Sequence, residues 1–207
     1  MRTDDARAKP AARDGLVSRY LNRPLSRPLA RLLVHTPATP NQVTLLSFVF
    51  ALAAGWLLTL GHNVWGGLAV HVSSVIDGVD GDLARLTGRS SRFGAVFDAV
   101  LDRYADTALI GGATWWAYQH ERWPAAVIVG LCALVGAYAV SYSRARIEAS
   151  GGRTFLLGLG TRDVRLFVLA LGLIAGQAWW ALLVIAVVAN ATVITRLIAL
   201  YHSENGE

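Results

Sequence analysis

The chain has 207 residues, 54% of them hydrophobic and only 16% charged, with a mean hydropathy of +0.44. That balance is too apolar for an ordinary soluble domain and fits one compact multi-pass membrane domain. The net charge of +5 is almost wholly arginine, with Lys9 the lone lysine, and the arginines flank apolar blocks. Such placement points to a membrane surface and against nucleic acid.

Residues 1–14 are polar and lack apolar periodicity, which predicts a disordered arm. No cleavable signal peptide is expected, because the first forty residues are arginine-rich and punctuated by proline. From 15 to 35, Arg19, Arg23, Arg27 and Arg31 recur every four residues, as do Leu21, Leu25, Leu29 and Leu33. On a helix the two series face apart, one towards lipid headgroups and one towards acyl chains. Pro24 and Pro28 predict a broken, surface-lying segment; packing on the protein's own loops is the alternative.

The fold class expected is all-α and integral to the membrane: six transmembrane helices after an amino-terminal interfacial segment, within a domain over 15–203. The spans are predicted at 43–60, 64–86, 93–118, 123–147, 164–178 and 179–200. Only the Gly176–Gln177 turn signal divides the last two, but one helix over 164–200 would far exceed a bilayer. Cys132, the only cysteine, lies in an apolar run, so neither a disulfide framework nor a thiolate metal cluster is expected.

Loop charge predicts the orientation. The loops at 61–63 and 119–123 hold only Arg122, whereas the amino-terminal arm, the loop at 86–92 and the loop at 144–165 hold most other arginines. By the positive-inside rule these three regions and both termini are cytoplasmic, in a cell-membrane protein.

That orientation brings "DGVDGDLARLTGRSSRFGAVFDAVLD", residues 77–102 with five aspartates, to the cytoplasmic ends of spans two and three. Asp77 and Asp80 are three apart and Asp98 and Asp102 four apart, so each pair shares a helical face. Facing one another, they gather four carboxylates, at a cost on the order of 10 kcal/mol without compensation. Bound divalent cations remove that cost, and oxygen-only donors favour Mg²⁺ or Mn²⁺ over zinc. Gly81, Ala84 and Gly94 let a ligand or a helix approach closely, and Arg85 offers a forked donor suited to phosphate. His71 lies off that face and reads as a packing residue. Asp82 points about 140° from Asp77 and is expected to be structural.

The spacing Asp77-x2-Asp80-Gly81-x2-Ala84-Arg85-x8-Gly94-x3-Asp98-x3-Asp102 resembles, without departure, the signature of the CDP-alcohol phosphotransferase family. Upstream, Pro40-Asn41-Gln42-Val43-Thr44 resembles the family's lead into its first span, so the resemblance covers about residues 15–200. It implies that Asp77, Asp80, Asp98 and Asp102 bind two Mg²⁺ or Mn²⁺ ions, with Asp102 also the catalytic base. It places Gly81, Ala84, Arg85, Ser91 and residues Pro40, Asn41, Gln42, Val43 and Thr44 around the CDP end of the donor. The implied reaction is attack of an acceptor hydroxyl on the β-phosphorus of a CDP-alcohol, with release of CMP. A homodimer among membrane lipids is implied as well.

A second basic group lies in "SYSRARIEASGG", in "LGTRDVRLF" and at Arg196, which interrupts span six and needs an anion or water. Arg144, Arg146, Arg153 and Arg165 can be explained by loop charge alone, and Arg196 cannot. These segments resemble the family branch that makes phosphatidylinositol phosphate and di-inositol-phosphate phosphate. There the resemblance implies that Ser141, Arg144, Arg162 and Arg196 grip an acceptor phosphate, most plausibly that of an inositol phosphate. The donor is CDP-diacylglycerol or CDP-inositol, expected to be made by another protein. The alternatives are an unphosphorylated or lipid acceptor (glycerol phosphate, serine, inositol) within the same family, or a cation-coupled transporter. Clustering of the acids at one face and the absence of a repeated hydropathy pattern count against the transporter. Retention of all four aspartates counts against an inactive scaffold.

Overall fold

A computed structural model describes residues 15–121, 124–151 and 160–205, and its regular structure among these is entirely helical. The expected disordered arm at 1–14, and Arg122 and Arg153 of the loop-charge argument, lie outside the described residues. One π-helical turn, Ser18–Asn22, runs into α1 (Arg23–Leu33). Six longer elements follow: α2 (Pro40–Thr59), α3 (Asn63–Thr87), α4 (Arg92–His120), α5 (Ala125–Ala149), α6 (Arg162–Ile174) and α7 (Ala178–Asn205).

The helix ends follow local chemistry. Thr39 and Gln42 form a capping box at the start of α2, with Pro40 in the first turn. Gly88, at φ +66°, ends α3 in the left-handed conformation that suits glycine. Three residues later the Ser91 hydroxyl accepts from the Gly94 N–H and starts α4. The expected division at Gly176–Gln177 is present: α6 stops at Ile174, Gly176 takes φ +66°, and α7 begins at Ala178. Its first turn is capped from another helix end, since the Glu121 carboxylate accepts from the backbone N–H of Ala178 and Trp179 at 2.6 and 2.8 Å.

Around the core, α2 packs on α3 and α4, α5 on α4 and α7, and α6 on α3 and α7. Small residues set the spacing: Ala51, Ala54, Ala105, Ala113, Ala133, Ala137 and Ala186 are buried among Leu58, Leu109, Leu169, Leu173 and Leu182. At the α2–α4 crossing a Cβ on Gly112 would lie 2.7 Å from the Gly55 carbonyl oxygen, so the two backbones touch. Among the described residues, three helices are long and apolar enough to cross a membrane: Pro40–Thr59, Ala125–Ala149 and the Ala178–Ser203 part of α7. By contrast, α3 and α4 carry the aspartates, and α6 has only 13 residues.

The amino-terminal segment departs from the expected proline break. Pro24 sits in the first turn of α1, and Pro28 is accommodated inside it. The irregularity is instead the π-helical turn upstream. A third face, not read from the arginine and leucine series, explains the continuity. Asn22, Ser26 and Ala30 are buried against α3, where Asn22 Nδ2 donates to Ser74 Oγ at 3.0 Å. Leu21, Leu25 and Leu29 remain exposed beside Arg19, Arg27 and Arg31.

Replacing Glu121 by alanine removes both side-chain caps from α7. The expected loss is about 1–2 kcal/mol, seen as a lower apparent Tm in detergent, with Glu121→Gln in between.

Candidate active site

The signature side chains lie where α3, α4 and α6 converge, between two cavities. The first cavity, of about 180 Å³, opens between the start of α2 and the α3–α4 turn. Pro40, Asn41, Thr44, Asp80, Gly81, Ala84, Arg85, Ser91, Gly94 and Asp98 are among its lining, together with Arg89 and Ser90. A Cβ on Gly94 would stand 3.0 Å from Asn41 Oδ1, so a larger residue there would narrow the cavity. Of the segment 40–44, two members lie elsewhere. The Gln42 side chain closes the capping box on the Thr39 N–H at 2.9 Å, and Val43 packs with Ala30, Val79 and Leu83.

Three carboxylates meet at the convergence: Asp77, Asp98 and Asp102 each place an oxygen within 4.8 Å of the others'. Asp80 is not of this trio. It is buried one turn along α3 and accepts a hydrogen bond from the Thr44 hydroxyl of α2. The trio suits a hard divalent cation by donor type and spacing. A cationic group already sits among these oxygens: Arg162 Nη1 lies 2.9 Å from Asp77 Oδ2 and 2.8 Å from Asp102 Oδ1. Positive charge at this point is therefore what the carboxylates are arranged to receive.

The second cavity, of about 240 Å³, lies beyond that guanidinium. Ser141 and Arg144 from α5, Arg162 and Arg165 from α6 and Arg196 from α7 line it, as do Asp102 and Arg103 of α4. All four residues named for an acceptor phosphate thus border one space. Their partners differ. Arg144 Nε donates to Glu148 Oε1 at 2.8 Å. Arg196 is buried, and its Nη1 donates to the Val140 carbonyl at 2.6 Å and to Ser143 Oγ at 3.2 Å. Among the described residues its Nε has no hydrogen-bond partner, and no carboxylate pairs with it. A buried guanidinium left in that state calls for an anion.

Two further carboxylates outside the signature hold arginines around these sites. Asp106, 1% exposed, accepts from Arg162 Nε at 3.0 Å and lies 3.5 Å from nitrogens of both Arg165 and Arg103. Its position, one turn after Asp102 on α4, is the available signal: a further acid on the signature face. Asp82, expected to be structural, is buried and paired with Arg23 Nη1 at 2.6 Å and Arg85 Nη2 at 2.8 Å. His71 packs edge-on against Phe167, as a packing residue should.

With that geometry in place, the comparisons with known proteins can be set beside it. A family model described as CDP-alcohol phosphatidyltransferase matches residues 37–190. The chain belongs to that family. It is 48% identical over 190 residues to a bifunctional IPC transferase and DIPP synthase of Rubrobacter xylanophilus. That match covers 90% of this chain and 43% of the relative, so the chain spans less than half of that protein. Among solved structures, Mycobacterium tuberculosis phosphatidylinositol phosphate synthase with CDP-DAG bound is similar at a TM-score of 0.72 and 32% identity. The likeness covers 84% of this chain and 92% of that one. The same enzyme in complex with manganese and citrate gives a TM-score of 0.74 and 31% identity over 86% and 89% of the two chains. As a family member, the protein is a metal-dependent CDP-alcohol phosphotransferase.

Asp106 answers three arginines from inside the helix bundle. Asp106→Ala should lower stability by about 3–5 kcal/mol, because it takes from the buried Arg165 the carboxylate it pairs with and from Arg162 one of three. Denaturant titration in detergent measures it, and Asp106→Asn should recover part of the loss.

Proposed function

We propose that the protein transfers a phospho-alcohol from a CDP-alcohol to a hydroxyl of an inositol phosphate, releasing CMP. One observation carries this reading: three of the four signature aspartates are divided between two cavities. Asp80 and Asp98 border the first, and Asp102 borders the second. The first then takes the CDP end of the donor and the second the acceptor. The bound CDP-DAG of the M. tuberculosis relative supports the donor class. For the acceptor, support comes from the unpaired Arg196 Nε and from the phosphatidylinositol phosphate product in that enzyme's name.

In this reading Asp77, Asp80, Asp98 and Asp102 would hold two Mg²⁺ or Mn²⁺ ions, which supply charge neutralisation at the pyrophosphate. Arg85, with Asn41 and Ser91, orients the nucleotide end. Arg162, Arg196, Arg144 and Ser141 hold the acceptor phosphate, and so turn a hydroxyl towards the first cavity. The acceptor oxygen bonds to the β-phosphorus as the bond to CMP breaks, and Asp102 takes the hydroxyl proton. A carboxylate is a weak base for an alcohol, so that proton moves late. Most of the rate then comes from positioning and electrostatics.

An assay of CMP release tests it, using CDP-diacylglycerol or CDP-inositol with inositol phosphate or inositol. Release should need a divalent cation, and only a phosphorylated acceptor should support it well. Arg196→Ala should raise the acceptor KM about ten- to a hundredfold with the donor KM unchanged, and lysine should rescue only partly. Equal use of inositol, or an unaltered Arg196→Ala enzyme, would remove the acceptor assignment.

The same proposal has α2 to α7 crossing the membrane, both termini cytoplasmic and the active site facing the cytoplasm. The arginine bias among the loops supports it, although α6 at about 20 Å is shorter than the ~30 Å hydrocarbon layer. In a Cys132→Ser background, cysteine at 62 should react with an impermeant maleimide from outside and cysteine at 90 only from inside. The reverse pattern inverts the topology.

A further inference from the structure

Asp82 lies between two elements that the reaction scheme leaves unconnected. The residue is buried, although it follows the cavity-lining Gly81 on α3. Oδ1 lies 2.6 Å from Arg23 Nη1 of α1 and 2.8 Å from Arg85 Nη2, and Oδ2 accepts from Ser26 Oγ of α1 at 3.0 Å. Arg23 Nη1 also reaches the Gly78 carbonyl at 3.4 Å, and a Cβ on Gly78 would stand 3.3 Å from Ser26 Oγ. The α1 backbone is thus fixed closely to α3 at this level. On the other side, the Arg85 side chain is 55% exposed, lines the first cavity and folds back over Gly81. A Cβ at Gly81 would meet its two terminal nitrogens at 3.5 Å.

From this geometry we infer that Asp82 is a positioning residue for the donor site: it ties the Arg85 guanidinium to the surface-lying helix α1. An arginine that is half exposed spreads over many rotamers and loses that freedom when it grips a phosphate. Held by one nitrogen on a buried carboxylate, Arg85 keeps its remaining donors towards the cavity before the nucleotide arrives. The charge pattern is consistent with this. Arg23 alone would neutralise Asp82, yet Arg85 shares the same oxygen, so each guanidinium leaves hydrogen-bonding capacity unused by the carboxylate. Only Arg85 borders the cavity. Serine and arginine three apart on α1 supply the fixed end, and the donor site thereby depends on where α1 sits.

The inference rests on the reading that Arg85 faces the CDP end of the donor, and a double-mutant cycle separates the two. The probe is CDP, titrated calorimetrically with Mg²⁺ into the full chain in detergent. Arg85→Ala should weaken CDP binding; if it does not, the donor reading itself fails. Asp82→Asn should raise the CDP Kd about three- to tenfold. In the Arg85→Ala background it should add less than twofold, because Asp82 acts through that arginine. The KM for the inositol phosphate acceptor should stay within twofold, which a general loosening of the fold would not allow. An unchanged CDP Kd in Asp82→Asn, or an undiminished effect without Arg85, overturns the inference. Should Asp82→Asn fail to fold, Arg23→Gln leaves the carboxylate in place and is judged by the same two criteria.

Discussion

The structure depends on placing carboxylates and guanidinium groups from different helices against one another in a poorly solvated region. Arg162 spans Asp77 of α3 and Asp102 and Asp106 of α4, while itself starting α6. Apolar packing alone would not bring those three helices to a point, because each carries a charge that would otherwise seek water. Breaking one partner leaves the others uncompensated, so the contacts act as a unit. The small residues deeper in the bundle then complete the packing of helices whose ends are already located. Reactive groups and fold are held by the same set of charges.

In the proposed reading that arrangement also separates the two substrates chemically. Both cavities border the carboxylates, yet they differ in what surrounds them. The first is bounded by a glycine-bearing turn, Asn41 and hydroxyl groups, with arginines at its mouth. The second is lined by five arginines and is sparing in carboxylates of its own, Asp102 and Glu148. A compact anion gains most in the second, and an extended diphosphate, bracketed by acids and bases, gains most in the first. In the proposed reading Asp102 stands between the two, where it would take a proton from one substrate as a bond forms to the other.

The sequence was most legible where charge is expensive. The four aspartates, the basic loops and Arg196 all violate apolar expectation, and among the described residues Asp80, Asp98, Asp102 and Arg196 line two cavities. Helix limits followed from length and caps, including the division at Gly176, because turn chemistry is local. What escaped was relational. Asp106 and Asp82 look alike in sequence, each a few residues from a signature acid, and nothing local reveals that arginines from other elements meet them. The buried stripe of Asn22, Ser26 and Ala30 was hidden because two more conspicuous series occupied the other faces of α1. Its polar members are also weak signals until a partner helix is known. Gln42 and Val43 lay within a segment resembling a binding motif, but helix geometry allows only some positions of such a segment to face one cavity.

Glu121 caps α7 at the end remote from the arginine-lined cavity. Eighteen residues separate Ala178 from Arg196, a rise of about 27 Å along a helix. A helix fastened at its first turn behaves as a rod, and its length becomes a ruler. The carboxylate at one end therefore sets the depth at which the guanidinium rests at the other. Inserting or deleting a single residue between them would change that depth by about 1.5 Å and rotate the arginine by about 100°. The reach of a side chain across the bundle is thus gauged from the opposite end, by a residue that meets no substrate.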